Sequence, residues 1–286
     1  MTDLVRPLEP APSPMPLFRS FPHAAIALLA AAAALYAPAC AADPGREDRI
    51  VIASDPWCPY ACNPDSDGAD GYMVDLAREI LGEAGLTLEY RVVNFQVLRR
   101  MAEDGSATLV PGVASDLYGT LVLPDRAQGN SPNAVAVSRL RPFRWTGPDS
   151  FAGHRLGVIR DYNYGGALQR YIDSHLSDPD RIEVLSGFGY SHVAQGLRLL
   201  EAGRIDLMLD DFNVLRWHLR RSPQLDGLQV VPLDDRADLF IGVAIRNPRA
   251  AELTRMLAEG TERLRRSGRL AAILARYGLS DWQNPL

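Results

Sequence analysis

The most constraining feature of this chain is an alternation of strand-like and helix-like segments that occurs twice. The first round opens with the apolar run RIVIAS at 49–54. A helical pattern at 73–84, a strand at 86–93, a short helix at 96–104 and a strand at 107–113 follow. The second round sets a strand at 155–159, a helix at 166–175, a short strand at 182–185, a helix at 192–202 and a strand at 205–209. Such a β-α-β-α-β order needs crossover connections, which are right-handed and build parallel sheets covered by helices. Between the rounds, 131–138 reads as extended, and RPFRWTGPDS after it carries the turn residues of a boundary. Beyond the second round lie a strand-like ADLFIGVAI at 237–245 and two helices, at 248–267 and 269–277, the first opening on Pro248. Two similar α/β lobes joined by two extended crossings is the natural reading. A single doubly wound sheet is the alternative that periodicity leaves open.

In open parallel sheets, ligands bind beyond the carboxyl ends of the strands. Asp55, Trp57, Tyr60 and Tyr72 follow the first strand, and Ser115, Asp116 and Tyr118 follow the strand at 107–113. Asp161, Tyr162, Asn163 and Tyr164 stand between a strand and a helix opening at Gly165-Gly166, and Asp210, Asp211 and Phe212 close the strand at 205–209. Aromatic faces with a few hydrogen-bonding groups suit a small-molecule pocket. Free helix N–H groups after Tyr164 would receive an anionic group. The plainer reading is that the tyrosines roof the core and that Asp210 caps a helix. The expected ligand-binding set is Trp57, Tyr60, Tyr72, Ser115, Asp116, Tyr162, Asn163, Tyr164 and Asp210.

Composition removes other classes. The net charge of -5 offers no basic field for nucleic acid. All 30 basic residues are arginine, so no Schiff base, pyridoxal-phosphate anchor or P-loop lysine is available. The five histidines (23, 154, 175, 192 and 218) show no metal spacing, and there is no G-x-S-x-G elbow. His192 and His218 fall in helical segments, where a surface or capping role is expected. No cofactor, metal or catalytic residue is expected.

Residues 24–37, AAIALLAAAAALYA, form an apolar run of the length of a signal-peptide core, roughly 7–15 residues, and short of the ~20 of a spanning helix. Arg19 and His23 precede it, and Ala39-Cys40-Ala41 has the small-x-small pattern of a cleavage site. Cleavage after Ala41 is expected, making 1–41 a signal peptide and the protein periplasmic; an uncleaved anchor or a buried helix is the competing reading. Cys40 raises a lipoprotein, but Ala37 stands where leucine would precede the lipidated cysteine. The Pro-rich stretch before Met15 reads as an over-long start. In an oxidising compartment Cys58 and Cys62 should form a disulfide. Metal binding competes weakly, because two thiolates need further ligands.

Three motifs resemble the family-3 bacterial extracellular solute-binding proteins, the amino-acid-binding type of periplasmic binding protein. They are Trp57-Cys58-Pro59-Tyr60 with Gly71-Tyr72-Met73-Val74-Asp75-Leu76, then Gly203 to Asp210, then Leu270 to Leu279. The match runs through nearly all of the chain beyond the leader. The resemblance implies a type II two-lobed fold, each lobe a mostly parallel sheet flanked by helices, closing about a hinge. Lobe 1 would comprise 42–137 plus 238–286, and lobe 2 would comprise 138–237. It also implies that Trp57, Tyr60 and Tyr72 line the first-lobe wall, that Asp210 holds a ligand amino group, and that the 162–165 turn meets a ligand carboxylate. One departure stands out. Where the family carries a T-P-E-R-like segment whose arginine clamps the carboxylate, this chain reads Ser115-Asp116-Leu117-Tyr118. Arg126 and Arg160 are the possible substitutes. An amine-bearing or neutral polar solute is therefore expected rather than a standard α-amino acid.

The expected function is capture of that solute by a monomer and its delivery to the membrane permease of an ABC transporter. A solute-sensing subunit for a membrane receptor is the alternative. A periplasmic enzyme of dehydratase type on the same fold is a third reading, with Asp116, Asp161 and Asp210 as its candidate acids.

Overall fold

The computed structural model describes residues 49–114, 119–187 and 190–283. The expected leader, including Cys40, and the expected site residues Ser115 and Asp116 lie outside the described residues.

Both rounds of alternation are present. In the first, β1 (Arg49–Ser54) pairs in parallel with β2 (Thr87–Val92) and with β3 (Leu109–Val113). Its connecting helices are α2 (Tyr72–Gly82), preceded by the one-turn α1 (Pro64–Asp67), and α3 (Phe95–Asp104). Helix α2 forms because Tyr72, Met73, Leu76, Ile80 and their neighbours recur at helical spacing and bury one face. Helix α3 is capped by the Asn94 side chain, which accepts from the Val97 N–H at 2.8 Å, and ends at Gly105 in the left-handed region. In the second round, β6 (Leu156–Ile159) pairs in parallel with β7 (Ile182–Leu185) and with β8 (Leu207–Asp211). Helices α4 (Gly166–His175) and α5 (Ser191–Glu201) make the crossovers, and α6 (Phe212–Arg220) follows β8 directly.

Two long antiparallel strands tie the rounds together. β5 (Gly129–Ser138) pairs with β8 through 133–137, and along its whole length with β9 (Leu228–Ala244). The far end of β9 continues past β5, pairing 240–243 with β3 and 243–244 with the short β4 (Leu121–Val122). The hydrogen-bonded order is β2-β1-β3-β9-β5-β8-β6-β7. Sequence patterning foresees only the final part of β9. Its first half, LQVVPLDDR, carries Pro232 and three charges on a largely exposed stretch, so neither apolar alternation nor a buried run marks it.

The chain ends in α7 (Ala250–Arg266) and α8 (Arg269–Arg276), separated by Gly268 in the left-handed region. Both pack on α2, and their apolar faces join Ile50, Ile52, Ile80 and Leu109 in the larger core. A second core, with Phe151, Leu156, Leu168 and Leu209, fills the space beneath α4.

Candidate functional site

The site is built on the loop leaving β1. Trp57 accepts from the Tyr60 and Ala61 N–H groups (3.0 and 3.1 Å) and donates its own N–H to the Ala61 carbonyl, closing a tight turn. The Cys58–Cys62 disulfide, with Cα atoms 4.4 Å apart, staples this turn as expected from the two cysteines. The start of α2 is tied underneath, where Tyr72 N–H donates to Pro59 O at 2.9 Å and Met73 N–H to Tyr60 O at 3.1 Å. Gly71 makes that approach possible, since a Cβ there would stand 2.5 Å from Tyr60 O, and its φ is +101°. The result is a rigid platform. On it the Trp57 ring stacks on Tyr60, centroids 4.2 Å apart.

Tyr60 is fully buried, and its hydroxyl lies 2.8 Å from Asp211 Oδ2, 2.9 Å from Asn130 O and 2.9 Å from the donating Asn213 amide. Asp211 Oδ2 also accepts from the Ser131 hydroxyl at 2.7 Å, while its Oδ1 accepts from the Val214 N–H and caps α6. The cap that sequence reasoning assigned to Asp210 as a plainer role thus belongs to its neighbour. This network joins the β1 loop, β5, β8 and α6 in one buried knot. Tyr72 is also buried, 5.5 Å from Tyr60. Tyr164 uses its hydroxyl to accept from the Ile159 N–H at 2.8 Å and reaches Leu209 O at 3.3 Å. The structure therefore sets Tyr60, Tyr72 and Tyr164 beneath the site surface, as its supports.

Asp210 has no such role. It is 1% exposed in β8; its Oδ1 accepts from the Asp211 N–H at 2.7 Å, and its Oδ2 has no hydrogen-bond partner among the described residues. Burial, opposed by that N–H and reinforced by the Asp211 charge, pushes its carboxyl up to about 8. Asp55, just past β1, also has a buried Oδ1 without a partner, and burial raises it to about 6. Burial raises Asp211 to about 6 as well, against the hydrogen bonds it accepts. The charges of both unsatisfied carboxyls reach Tyr162. Its phenol is pushed far up by burial first, then by Asp210, Tyr164 and Asp55, yet 37% of the side chain stays open to solvent. The Trp57 Nε1–H likewise has no partner. The expected binding set left out Asp55, although its place just past a buried parallel strand was visible in the sequence.

Two N–H groups of the 162–165 turn are already engaged. Tyr164 N–H donates to Gln169 Oε1 at 3.0 Å and Gly165 N–H to Asn163 Oδ1 at 2.9 Å, so side chains already cap those donors. Asp161 makes the turn in the left-handed region, φ +64°. The two substitute arginines stand apart from the unsatisfied carboxyls. Arg160 is exposed and donates to Ser186 Oγ at 2.7 Å. Arg126 lines a surface groove of ≈ 500 Å³ with Thr254, Arg255 and Glu259.

The histidines correct a second expectation. His192 is 6% exposed, edge-on to Tyr162 at 5.9 Å, and burial lowers its pKa. His218 is pushed down to about 4 by burial, with Asp67 opposing, and packs edge-on against Tyr190 at 5.0 Å. Both face inward because α5 and α6 turn these positions toward the β1 loop. There the Tyr190 hydroxyl donates to Asp67 Oδ2 at 2.7 Å, bridging 123 residues of sequence.

No protein-family model matches the sequence, and no curated protein matches it. Its likeness is to solved structures. An ancestral arginine-binding protein bound to arginine aligns with a TM-score of 0.64 at 16% identity, over 81% of this chain and 98% of that one. A structure from work on glutathione import via GshT and the cystine ABC importer TcyBC of Streptococcus mutans gives 0.66 at 14%, covering 82% and 96%. A histidine kinase sensor domain with similarity to periplasmic binding proteins gives 0.64 at 22%, covering 82% and 98%. The chain has the periplasmic-binding-protein fold, two α/β lobes joined by the crossing strands β5 and β9. Among the described residues, no helix is long and apolar enough to cross a membrane.

Proposed function

We propose that this protein captures a small polar, amine-bearing solute between its lobes, closes over it, and delivers it to an ABC-type transporter from the periplasm. The observation that carries this reading is the pair of buried carboxyl oxygens, on Asp55 and Asp210, that have no hydrogen-bond partner among the described residues and whose charges both act on Tyr162. A buried acceptor without a donor costs about 1–3 kcal/mol, and an amine between the lobes would supply the donor to both. Ligand contacts made only in the closed state shift the equilibrium toward it. Residues 133–137 pair with β8, and on that support we take the first crossing a few residues before the 137/138 boundary expected from sequence. The second crossing lies near 232–237, opposite the register shift between Pro132 and Ala134. The likeness to an arginine-binding protein and to an amino acid ABC transporter substrate-binding protein supports a non-catalytic role. We also propose that the protein acts as a monomer, which light scattering on the purified chain checks.

The test is a thermal-shift screen of the purified protein and its Asp210→Ala variant against amines, amino acids, organic acids and small sugars. A ligand at a hundredfold excess over Kd stabilises the native state by about 2.7 kcal/mol. A shift in the wild type that Asp210→Ala abolishes supports the site. The same shift in both proteins moves the site elsewhere, and a flat screen with turnover of a compound establishes an enzyme. The sensor-domain relative supports one second reading, a solute sensor that reports to a membrane receptor. Solute-dependent stimulation of a permease's ATPase on reconstitution separates the two.

A further inference from the structure

Asp55 and Asp210 each hold one carboxylate oxygen that no described residue satisfies, and each comes from a different lobe. Asp210 is 99% buried by its own strand and by β5, where it pairs with Ala134, so the donor that satisfies it comes from a molecule inside the cleft. Among the described residues, none of the arginine ion pairs involves Asp55 or Asp210.

The same surroundings reject a carboxylate. The N–H groups of Tyr164 and Gly165 are already taken by Gln169 and Asn163. The Asp235 carboxylate lies against Gly166 at the start of α4, 3.3 Å from where a Cβ would project. A ligand carboxylate would meet Asp55, Asp210 and Asp211 with no cation among them. The open flank of Tyr162 and the half-buried Trp57 ring supply aromatic faces, which attract ammonium groups.

We infer that the solute is a small diamine without a carboxylate, one ammonium group held by Asp55 and the other by Asp210, its carbon chain lying against Trp57 and Tyr162. The inference rests on the solute-binding reading and narrows it to one chemical class.

Titration calorimetry on the purified protein compares three amine and amino-acid pairs: putrescine with ornithine, cadaverine with lysine, and agmatine with arginine. The amine of at least one pair is expected to bind ten times or more tightly than its amino acid. Asp55→Asn and Asp210→Asn are each expected to weaken it at least tenfold, with thermal melts confirming that both variants fold. At pH 7 the wild type is also expected to release close to one proton per amine bound, seen as a dependence of the heat on buffer ionisation, and Asp210→Asn to lose that release. An amino acid binding as tightly as its amine overturns the diamine inference but leaves the binding-protein reading standing. Failure of all six to bind overturns it too, and the wider screen then decides whether the binding-protein reading falls with it.

Discussion

Asp210 and Asp211 are neighbours with opposite fates, and a single peptide bond in β8 separates them. Asp211 receives two hydroxyls and a helix N–H, whereas Asp210 receives one N–H and keeps a bare oxygen. The sign of the stability effect follows from the raised pKa. In the folded protein Asp210 holds its proton up to about 8, while in the unfolded chain it loses it near 3.8. Between these values the native state binds more protons, so its contribution to stability is full at low pH and is lost as pH rises toward 8. The ligand-free protein is therefore expected to lose about 2 kcal/mol from this group between pH 6 and pH 8. Urea titrations across that range check it, and Asp210→Asn should flatten the slope. Gly112 gives a second test at this scale. Its φ is +79°, and a Cβ there would sit 3.0 Å from the Trp57 ring. Gly112→Ala should cost about 1–2 kcal/mol from the backbone alone and shift Trp57 fluorescence; an unchanged emission spectrum would count against the described contact.

Among the elements, α6 depends most on a single side chain. Asp211→Ala removes its cap and leaves the Tyr60 and Ser131 hydroxyls without their acceptor. A cap alone is worth about 1 kcal/mol and a stranded buried polar group about 1–3, so a loss of about 2 kcal/mol or more in urea is expected. Tyr60→Phe, which removes one donor to Asp211 and the acceptor of the Asn213 amide but leaves the helix cap in place, should cost less. The sequence makes some of these elements plain and hides others. The central strands of both rounds, such as 49–54 and 156–159, are legible because a strand covered on both faces must be a continuous apolar run. The first half of β9 is hidden because its exposed stretch carries charges and a proline. Within the site, the crowd of aromatic and acidic residues beyond the strands is visible in the sequence. Which of them end as buried supports is not, because Tyr60 meets Asp211 only across 151 residues of intervening chain.

At the scale of the molecule, the two proposed lobes touch through Tyr190 and Asp67 as well as through the Tyr60–Asp211 knot and the crossing strands. Tyr190→Phe removes that hydrogen bond and should shift the ligand-free population toward the open form, raising the radius of gyration measured by small-angle scattering. An unchanged radius would show that the contact does not hold the lobes together. Opening the Cys58–Cys62 staple tests the platform instead. Chain-entropy arithmetic for so short a loop predicts a loss of about 2 kcal/mol on replacing both cysteines by serine.

The course of β9 also bears on the order in which this chain becomes a protein. Strand β1 begins at residue 49, yet β3 receives its antiparallel neighbour only from 240–243, and α2 receives its cover from α7 and α8. A chain emerging from its amino end thus holds an unfinished sheet until nearly its whole length has appeared. Contacts so distant in sequence fold slowly. Under the proposed export, a chain that stays loose until its last helices arrive would cross the membrane before it sets.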